Sequence, residues 1–461
     1  MNRIAHAAGR KVFSGVIEHE LGQINKDRQG AYEKILDTAE KYMNDFNLGI
    51  NWEYLRRAAL NPEYTLNRYV SSMVDELHPN VLRTTLVNLG YEAFYHGTKT
   101  IREMRKVHNC NIPWIILMDP TSACNLHCTG CWAAEYGNKL NLTFEEMDSV
   151  ITQGKELGVY FYMLTGGEPM VRKKDVIALC KKHNDCVFLA YTNGTLVDEE
   201  LCRQMQEAGN LFLALSLEGK LEVNDLRRGE GVYGKVMHAM ELLKENGLVF
   251  GTSICYTSQN IDSVTSDEFV NMLVEKGCRY SLYFHYMPVG NDASLELLPT
   301  AEQRVYMHDR VREIRNMEHG PGLFTMDFQN DGEFVGGCIA GGRNYFHINA
   351  NGDAEPCVFI HYSNGNIREN TILEILKQPL FMAYHNNQPF NENMLRPCPM
   401  LENPEILQKL VKESGAHSTD LQSPETAEHL CGKCTAYARQ WAPEADRLWE
   451  ETQAKKAAKI R

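Results

Sequence analysis

Cys124, Cys128 and Cys131 stand in the run Cys124-Asn-Leu-His-Cys-Thr-Gly-Cys131, a C-x3-C-x2-C spacing directly after the apolar stretch Ile112–Met118. Three thiolates on one short loop can hold three corners of a cubane iron–sulfur cluster, leaving the fourth iron open. A structural zinc site wants four closed ligands, usually as two separated C-x2-C pairs. The open iron is the chemical point of the spacing, because something other than protein can bind there. Of the 14 cysteines, five more (Cys338, Cys357, Cys398, Cys431 and Cys434) fall in the last third of the chain. The remaining six stand singly in apolar or helical stretches and read as core thiols. So uneven a distribution points to two metal centres.

The elements that position these residues follow from hydrophobic periodicity. Between about 112 and 290, short apolar runs alternate with helical patterns: Trp114–Met118, Val159–Leu164, Val187–Tyr191, Leu211–Leu217, Val249–Tyr256 and Ser281–Tyr286 are strand candidates. Thr143-Phe-Glu-Glu146 is a capping box opening a helix to Leu157, and Asp198 caps Glu199–Ala208, which Gly209 ends. Six such units build a parallel α/β sheet with right-handed crossovers, short of the eight of a closed barrel. Residues 1–111 read as helical, with amphipathic patterns over Ala31–Phe46 and Leu82–Val107. They suit a helical cap on the catalytic part. A docking or membrane-surface role draws on Arg3, Arg10 and Lys11 beside Val12, Phe13 and Val16. The expected domains are a helical region 1–111, an α/β region 112–295, and a loop-rich, cysteine-bearing region 296–461 that ends in helices.

About 35 residues beyond the cysteine trio, a second strand candidate ends in Thr165-Gly-Gly-Glu-Pro169. C-x3-C-x2-C followed by this GGEP strand end resembles the radical S-adenosylmethionine (SAM) superfamily. The resemblance implies a partial (β/α)6 barrel, a 4Fe–4S cluster on Cys124, Cys128 and Cys131, and SAM chelating the open iron. It further implies reductive cleavage of the sulfonium to a 5′-deoxyadenosyl radical that takes hydrogen from a substrate. SAM contacts are then expected at strand ends, where ligands bind in such sheets. They are Gly166, Gly167, Glu168 and Pro169; Asn193 in Thr192-Asn-Gly194; Ser216 and Glu218 in Leu215-Ser-Leu-Glu-Gly219; and Arg228 before Gly229. A guanidinium suits a carboxylate such as that of SAM. Most members carry an aromatic residue just before the third cluster cysteine, where this chain has Gly130.

Cys338, the Gly352-x4-Cys357 segment, Gly365-Asn-Ile367 and Cys431-x2-Cys434 resemble the SPASM/Twitch extension. That resemblance implies one auxiliary iron–sulfur cluster on Cys338, Cys357, Cys431 and Cys434. Cys398, between Pro397 and Pro399, is a fifth candidate or substitute. Four cysteines would also suit zinc. His285 and Tyr283 alternate along the sixth strand and read as core residues; no catalytic acid or base is assigned.

A net charge of −13 weighs against nucleic-acid binding through phosphate neutralisation. No stretch approaches the ~20 apolar residues of a membrane span, and the first residues lack a secretory h-region, so a cytoplasmic enzyme is expected. Its expected partners are SAM, a reductant such as ferredoxin or flavodoxin, and a substrate. SPASM relatives most often modify peptides or proteins, while Gly130 and the helical N-terminus keep lipid-directed radical carbon–carbon coupling as the alternative. A non-catalytic iron–sulfur electron carrier is the alternative from another class.

Overall fold

The sheet runs in the order β7-β6-β5-β4-β3-β2-β1-β8-β9 through a computed structural model that describes residues 3–46 and 49–460. Its strands are β1 (Ile115–Met118), β2 (Phe161–Leu164), β3 (Val187–Thr192), β4 (Leu211–Ser216), β5 (Phe250–Tyr256) and β6 (Tyr280–His285). Beyond residue 295 come β7 (Phe324–Asp327), β8 (Tyr345–Ile348) and β9 (Ala354–Glu355). Neighbours from β7 across to β8 pair in parallel, and only β9 is antiparallel. The fold is thus α/β, with an open parallel sheet. Strands such as Val187–Thr192 and Leu211–Ser216 are apolar almost throughout because both sheet faces are covered.

The six expected strands form within two residues of their predicted ends. The helix Phe144–Leu157 begins at a full capping box: Thr143 Oγ1 accepts from Glu146 N at 3.1 Å, and Glu146 Oε2 accepts from Thr143 N at 2.7 Å. Such caps are worth about 1 kcal/mol each. Asp198 caps Glu199–Ala208 through one bond alone, its Oδ1 accepting from Leu201 N at 2.8 Å. The sequence did not foretell β7, β8 or β9. Their runs lie in a loop-rich region and are two to four residues long, too short for a period to show.

The N-terminal region is helical, and it is built into the fold. Phe13 and Ile17 of the helix Arg3–Gln23 are buried against Val87 and Tyr91. Arg10 turns inward to the fully buried Glu92 at 2.6 Å, so it is not part of a solvated basic stripe; the side chain of Arg3 lies outside the described ones. Between the helices Pro79–Val87 and Thr98–His108 the chain takes a π-helical course over Asn88–Gly97. The Asn88 amide there donates to the carbonyls of Asn184 and Cys186, which tie this segment to the lead-in of β3. Among the described residues no helix is long and apolar enough to cross a membrane.

Candidate cluster and cofactor site

The cysteine loop leaves β1 at the carboxyl edge of the sheet and is held from below by the GGEP turn. Gly167 N donates to Thr121 O and Glu168 N to Ala123 O, at 2.9 and 2.8 Å. A Cβ on Gly167 would lie 2.2 Å from the Ala123 carbonyl, so only glycine lets the two strand ends close together. Glycine at 166 and 167 therefore serves loop-to-loop packing as well as the cavity that both residues line. Cys124 and Cys131 are exposed and Cys128 is half-buried. Desolvation of its sulfur pushes the Cys124 thiol up to about 11, and neighbouring Cys128 and Cys131 add to the rise.

Glu168 is buried, and its carboxylate is filled by protein donors. Oε1 accepts from Thr192 Oγ1 at 2.6 Å and Met170 N at 2.9 Å; Oε2 accepts from Asn193 N at 2.7 Å. It locks the end of β2 to the end of β3 and caps the short turn that begins at the buried Pro169. Burial raises its pKa against those donors. Asn193 donates in turn to Asn125 Oδ1 at 2.8 Å, inside the cysteine loop.

The end of β4 supplies the charged wall. Glu218 is fully buried and pairs with Arg227 at 2.7 Å and with Arg228. Its other oxygen accepts from Cys255 N at 3.2 Å. Arg228 Nη1 lies 3.9 Å from Cys128 Sγ. Arg227 clamps the same loop: Thr129 N donates to Arg227 O at 2.9 Å, and Arg227 Nε donates back to Thr129 O at 3.1 Å.

The cysteine trio, Gly166, Gly167, Glu168, Asn193, Glu218, Arg227 and Arg228 line one cavity of about 980 Å³, whereas Pro169 does not reach it. At the carboxyl ends of the strands the cavity meets Cys124, Cys128, Gly167, Asn193, Ser216 and Arg228. From there it passes between the inward faces of β1, β2, β3, β6 and β7 to Trp114 and Phe324, at the opposite strand ends. Ser253, Cys255 and Met287 also line it. His285 reaches it too, but both ring nitrogens are occupied, by Tyr286 O at 2.6 Å and the Tyr437 hydroxyl at 2.8 Å. Burial pushes its pKa down to about 3. With Tyr283 buried and bonded to Val264 O at 2.9 Å, both residues behave as core.

A side limb of the cavity reaches Cys338, Cys357 and Cys398. Tyr384, buried at 0 % exposure, stands against this group. After burial, the thiols of Cys338, Cys357, Cys398 and Cys431 are the neighbours that raise its pKa. Its hydroxyl has no hydrogen-bond partner among the described residues. An orphaned donor among cysteines fits a cluster whose sulfur atoms would accept its proton. Cys434 lies one turn from Cys431 on the helix Ala427–Ile460. Cys398 is fixed by a device the sequence did not reveal: its N–H donates to Glu402 at 2.6 Å, and Glu402 pairs at 2.6 Å with the fully buried Arg304. Among the described residues no three His, Cys, Asp or Glu side chains converge as a ready site for a single ion.

Family models agree with this geometry. That of the radical SAM superfamily matches residues 118–273, and that of the SPASM iron–sulfur cluster-binding domain matches residues 338–400. The chain is a radical SAM enzyme with a SPASM domain. Its cofactors are a 4Fe–4S cluster with SAM and an auxiliary iron–sulfur centre, and the electron-carrier alternative falls. Similar proteins include the AdoMet-dependent heme synthase of Methanosarcina barkeri, 25% identical over 74% of this chain and 96% of that one. The mycofactocin maturase MftC of Mycolicibacterium smegmatis is 28% identical over 55% of this chain and 67% of its own. Among solved structures, Streptococcus suis SuiB bound to precursor peptide SuiA shares the fold, with a TM-score of 0.54 and 17% identity over 67% of this chain and 76% of that chain.

The radical SAM core and the SPASM domain meet through a buried ionic network. His347 on β8, fully buried, bonds Asp119 at 2.8 Å and Glu355 at 2.7 Å. Glu355 also accepts from Tyr136, Asn349 and Thr419; against burial, His347 first, then His361 and Thr419, hold its pKa low. Asp119 has no donor on Oδ2 among the described residues, and burial pushes its pKa up. Between the two carboxylates, and despite burial, His347 is raised to about 10. Trp132 and Tyr136, just after Cys131, pack edgewise or tilted on His347 and His361. Thus the residues that follow the cysteine trio sit on the segment leading to Cys357, only two positions beyond Glu355.

Proposed function

We propose that this enzyme cleaves SAM reductively at Cys124, Cys128 and Cys131 and abstracts hydrogen from a substrate enclosed in the 980 Å³ cavity. The observation that carries the reading is convergence: the cysteine trio, the GGEP turn, Asn193, Ser216 and the Glu218–Arg228 pair border one end of a single cavity. A 4Fe–4S cluster held by Cys124, Cys128 and Cys131 would supply, with SAM, the one-electron chemistry of hydrogen abstraction. The chain's own contribution is positioning and exclusion of water.

Gly166 and Gly167 bring backbone to the cofactor end, while Glu168 and Asn193 hold that backbone in place. Arg228 offers a guanidinium edge between Cys128 and Glu218, where the carboxylate of SAM would be received. Cys338, Cys357 and Cys398, with one of Cys431 and Cys434, would hold the auxiliary cluster, and Tyr384 would donate to it.

Peptide or protein modification is the substrate reading supported by similarity to a maturase and to a structure holding a precursor peptide. One observation favours the lipid-directed alternative: the cavity wall is apolar between its two ends, with Leu117, Met163, Tyr191, Phe284, Met326 and Phe328. A peptide backbone carries a donor and an acceptor at nearly every residue and finds few partners on such a wall. Anaerobic incubation of the reconstituted enzyme with SAM and dithionite, followed by assay for 5′-deoxyadenosine, tests the common core. Incubation in deuterated and protonated candidate substrates then locates the abstracted hydrogen.

A further inference from the structure

The end of the cavity remote from the cysteine trio is bordered by the N-terminal region. Met43, Phe46, Phe94 and Ile101 contribute an apolar collar, and Arg102 and Arg105 line it beside them. Both arginines lie on the helix Thr98–His108. Their hydrogen bonds go to backbone carbonyls alone: Arg102 to Phe46 O at 2.7 Å, and Arg105 to Ile112 O at 2.7 and 3.0 Å and to Arg343 O. Among the described residues neither forms an ion pair. Arg315, which lines the same cavity, differs: Asp331 neutralises it through two bonds of 2.7 Å. Arg102 also stacks over the Phe46 ring, 5.0 Å from its centroid, which steers the head group toward the collar. Burial lowers Arg105 to about 10, and the like charges of Arg343 and Arg102 add to the effect.

Arg105 is half-buried and Arg102 stands exposed at the rim, and no carboxylate among the described residues pairs with either. The pair sits at one end of an apolar cavity that runs the height of the sheet, roughly 13 Å for a four-residue strand. The volume lies at the top of the usual range for small-molecule sites, about 300–1,000 Å³. The two features are independent and ask for one kind of molecule. An apolar body matches Leu117, Met163 and Phe284, and an anionic end matches Arg102 and Arg105.

We infer that the substrate is an elongated amphiphile, a long acyl chain ending in a carboxylate or phosphate. Its anionic end is held by Arg102 and Arg105, and its chain threads the barrel toward Cys124, Cys128 and Cys131. The inference rests on the cavity being the substrate chamber of the proposed function. On this reading the helical N-terminal region borders the far end of the chamber and supplies the anion site.

Equilibrium binding to the full-length protein tests this without cluster or SAM, using hexadecanoate, hexadecyl phosphate, hexadecanol and inorganic phosphate as probes. Saturable binding of hexadecanoate or hexadecyl phosphate is expected, with hexadecanol about tenfold weaker for want of charge-assisted hydrogen bonds. Whichever of the two acids binds tighter identifies the anionic group. Arg102→Gln with Arg105→Gln should erase the preference for acid over alcohol, and Leu117→Trp should weaken acid and alcohol alike by filling the chamber. The wild-type comparison stands even if a variant fails to fold. Equal binding of acid and alcohol, or binding of inorganic phosphate with no gain from the chain, would each overturn the inference. SAM cleavage by the reconstituted wild type is scored separately, so failure here leaves the proposed function standing.

Discussion

Arg228 and Cys128 are in contact, with Nη1 of the guanidinium 3.9 Å from the cluster-loop thiol. The other edge of the guanidinium holds Glu218, which is buried at 0 % exposure. One planar fork thus joins the end of β4 to the loop after β1. Lysine cannot reproduce it, because an ammonium is a point charge without paired edges. Arg228→Gln and Arg228→Lys should both keep the primary cluster's iron and lower SAM cleavage about tenfold or more, the scale of one lost charge-assisted contact. The check is iron content set beside the initial rate of 5′-deoxyadenosine formation. Wild-type rates in Arg228→Lys would show that the fork is not used.

The position of Cys398 yields a sharper expectation than its spacing did. It shares the side limb of the cavity with Cys338 and Cys357 and is fixed by Glu402 and Arg304. Anaerobically reconstituted wild type should hold about eight irons, two cubanes, and about four after loss of Cys124, Cys128 and Cys131. Cys398→Ser should shift or abolish the auxiliary signal in electron paramagnetic resonance, since a hard oxygen is a poor thiolate substitute. Four irons with one zinc in the wild type would reassign the site to structural zinc. An unchanged auxiliary spectrum in Cys398→Ser would make Cys398 the spare cysteine.

The cysteines, the GGEP turn and six strands were legible because each is local: spacing and apolar runs are written in consecutive residues. What stayed hidden depends on distant parts meeting. Asp119 just past β1, His347 on β8 and Glu355 on β9 are 228 and 8 positions apart along the network, and no local pattern marks them. Arg304 reads as an ordinary helical arginine until its burial against Glu402 and Trp441 is seen. Glu168 was legible as a motif residue, but not that Thr192, Asn193 and Met170 fill its carboxylate. The proposed anion site at Arg102 and Arg105 rests on no carboxylate among the described residues reaching them, and sequence records neighbours along the chain only.

The buried His347 makes folding sensitive to pH. Its pKa is raised from 6.5 to about 10 in the folded protein, so the protonated form favours folding. That contribution is fully present below pH 6.5 and is lost as pH rises through about 10. Within the window the loss approaches about 1.4 kcal/mol per pH unit. Denaturant titrations at pH 7, 8 and 9 should show wild type losing stability faster than His347→Gln, and the variant should be less stable at pH 7 by about 3–5 kcal/mol, the cost of breaking a buried ionic group. Parallel pH slopes in the two proteins would mean that His347 is neutral.

Reductive SAM cleavage at Cys124, Cys128 and Cys131 is the central claim, and product analysis tests it most directly. Wild type reconstituted with iron and sulfide, then given SAM and dithionite under anaerobic conditions, should form 5′-deoxyadenosine and methionine in equal amounts. The triple replacement of Cys124, Cys128 and Cys131 by alanine should lose about four irons per chain and form neither product. Formation of 5′-deoxyadenosine by the triple variant, or none by a wild type that holds its full iron, would contradict it.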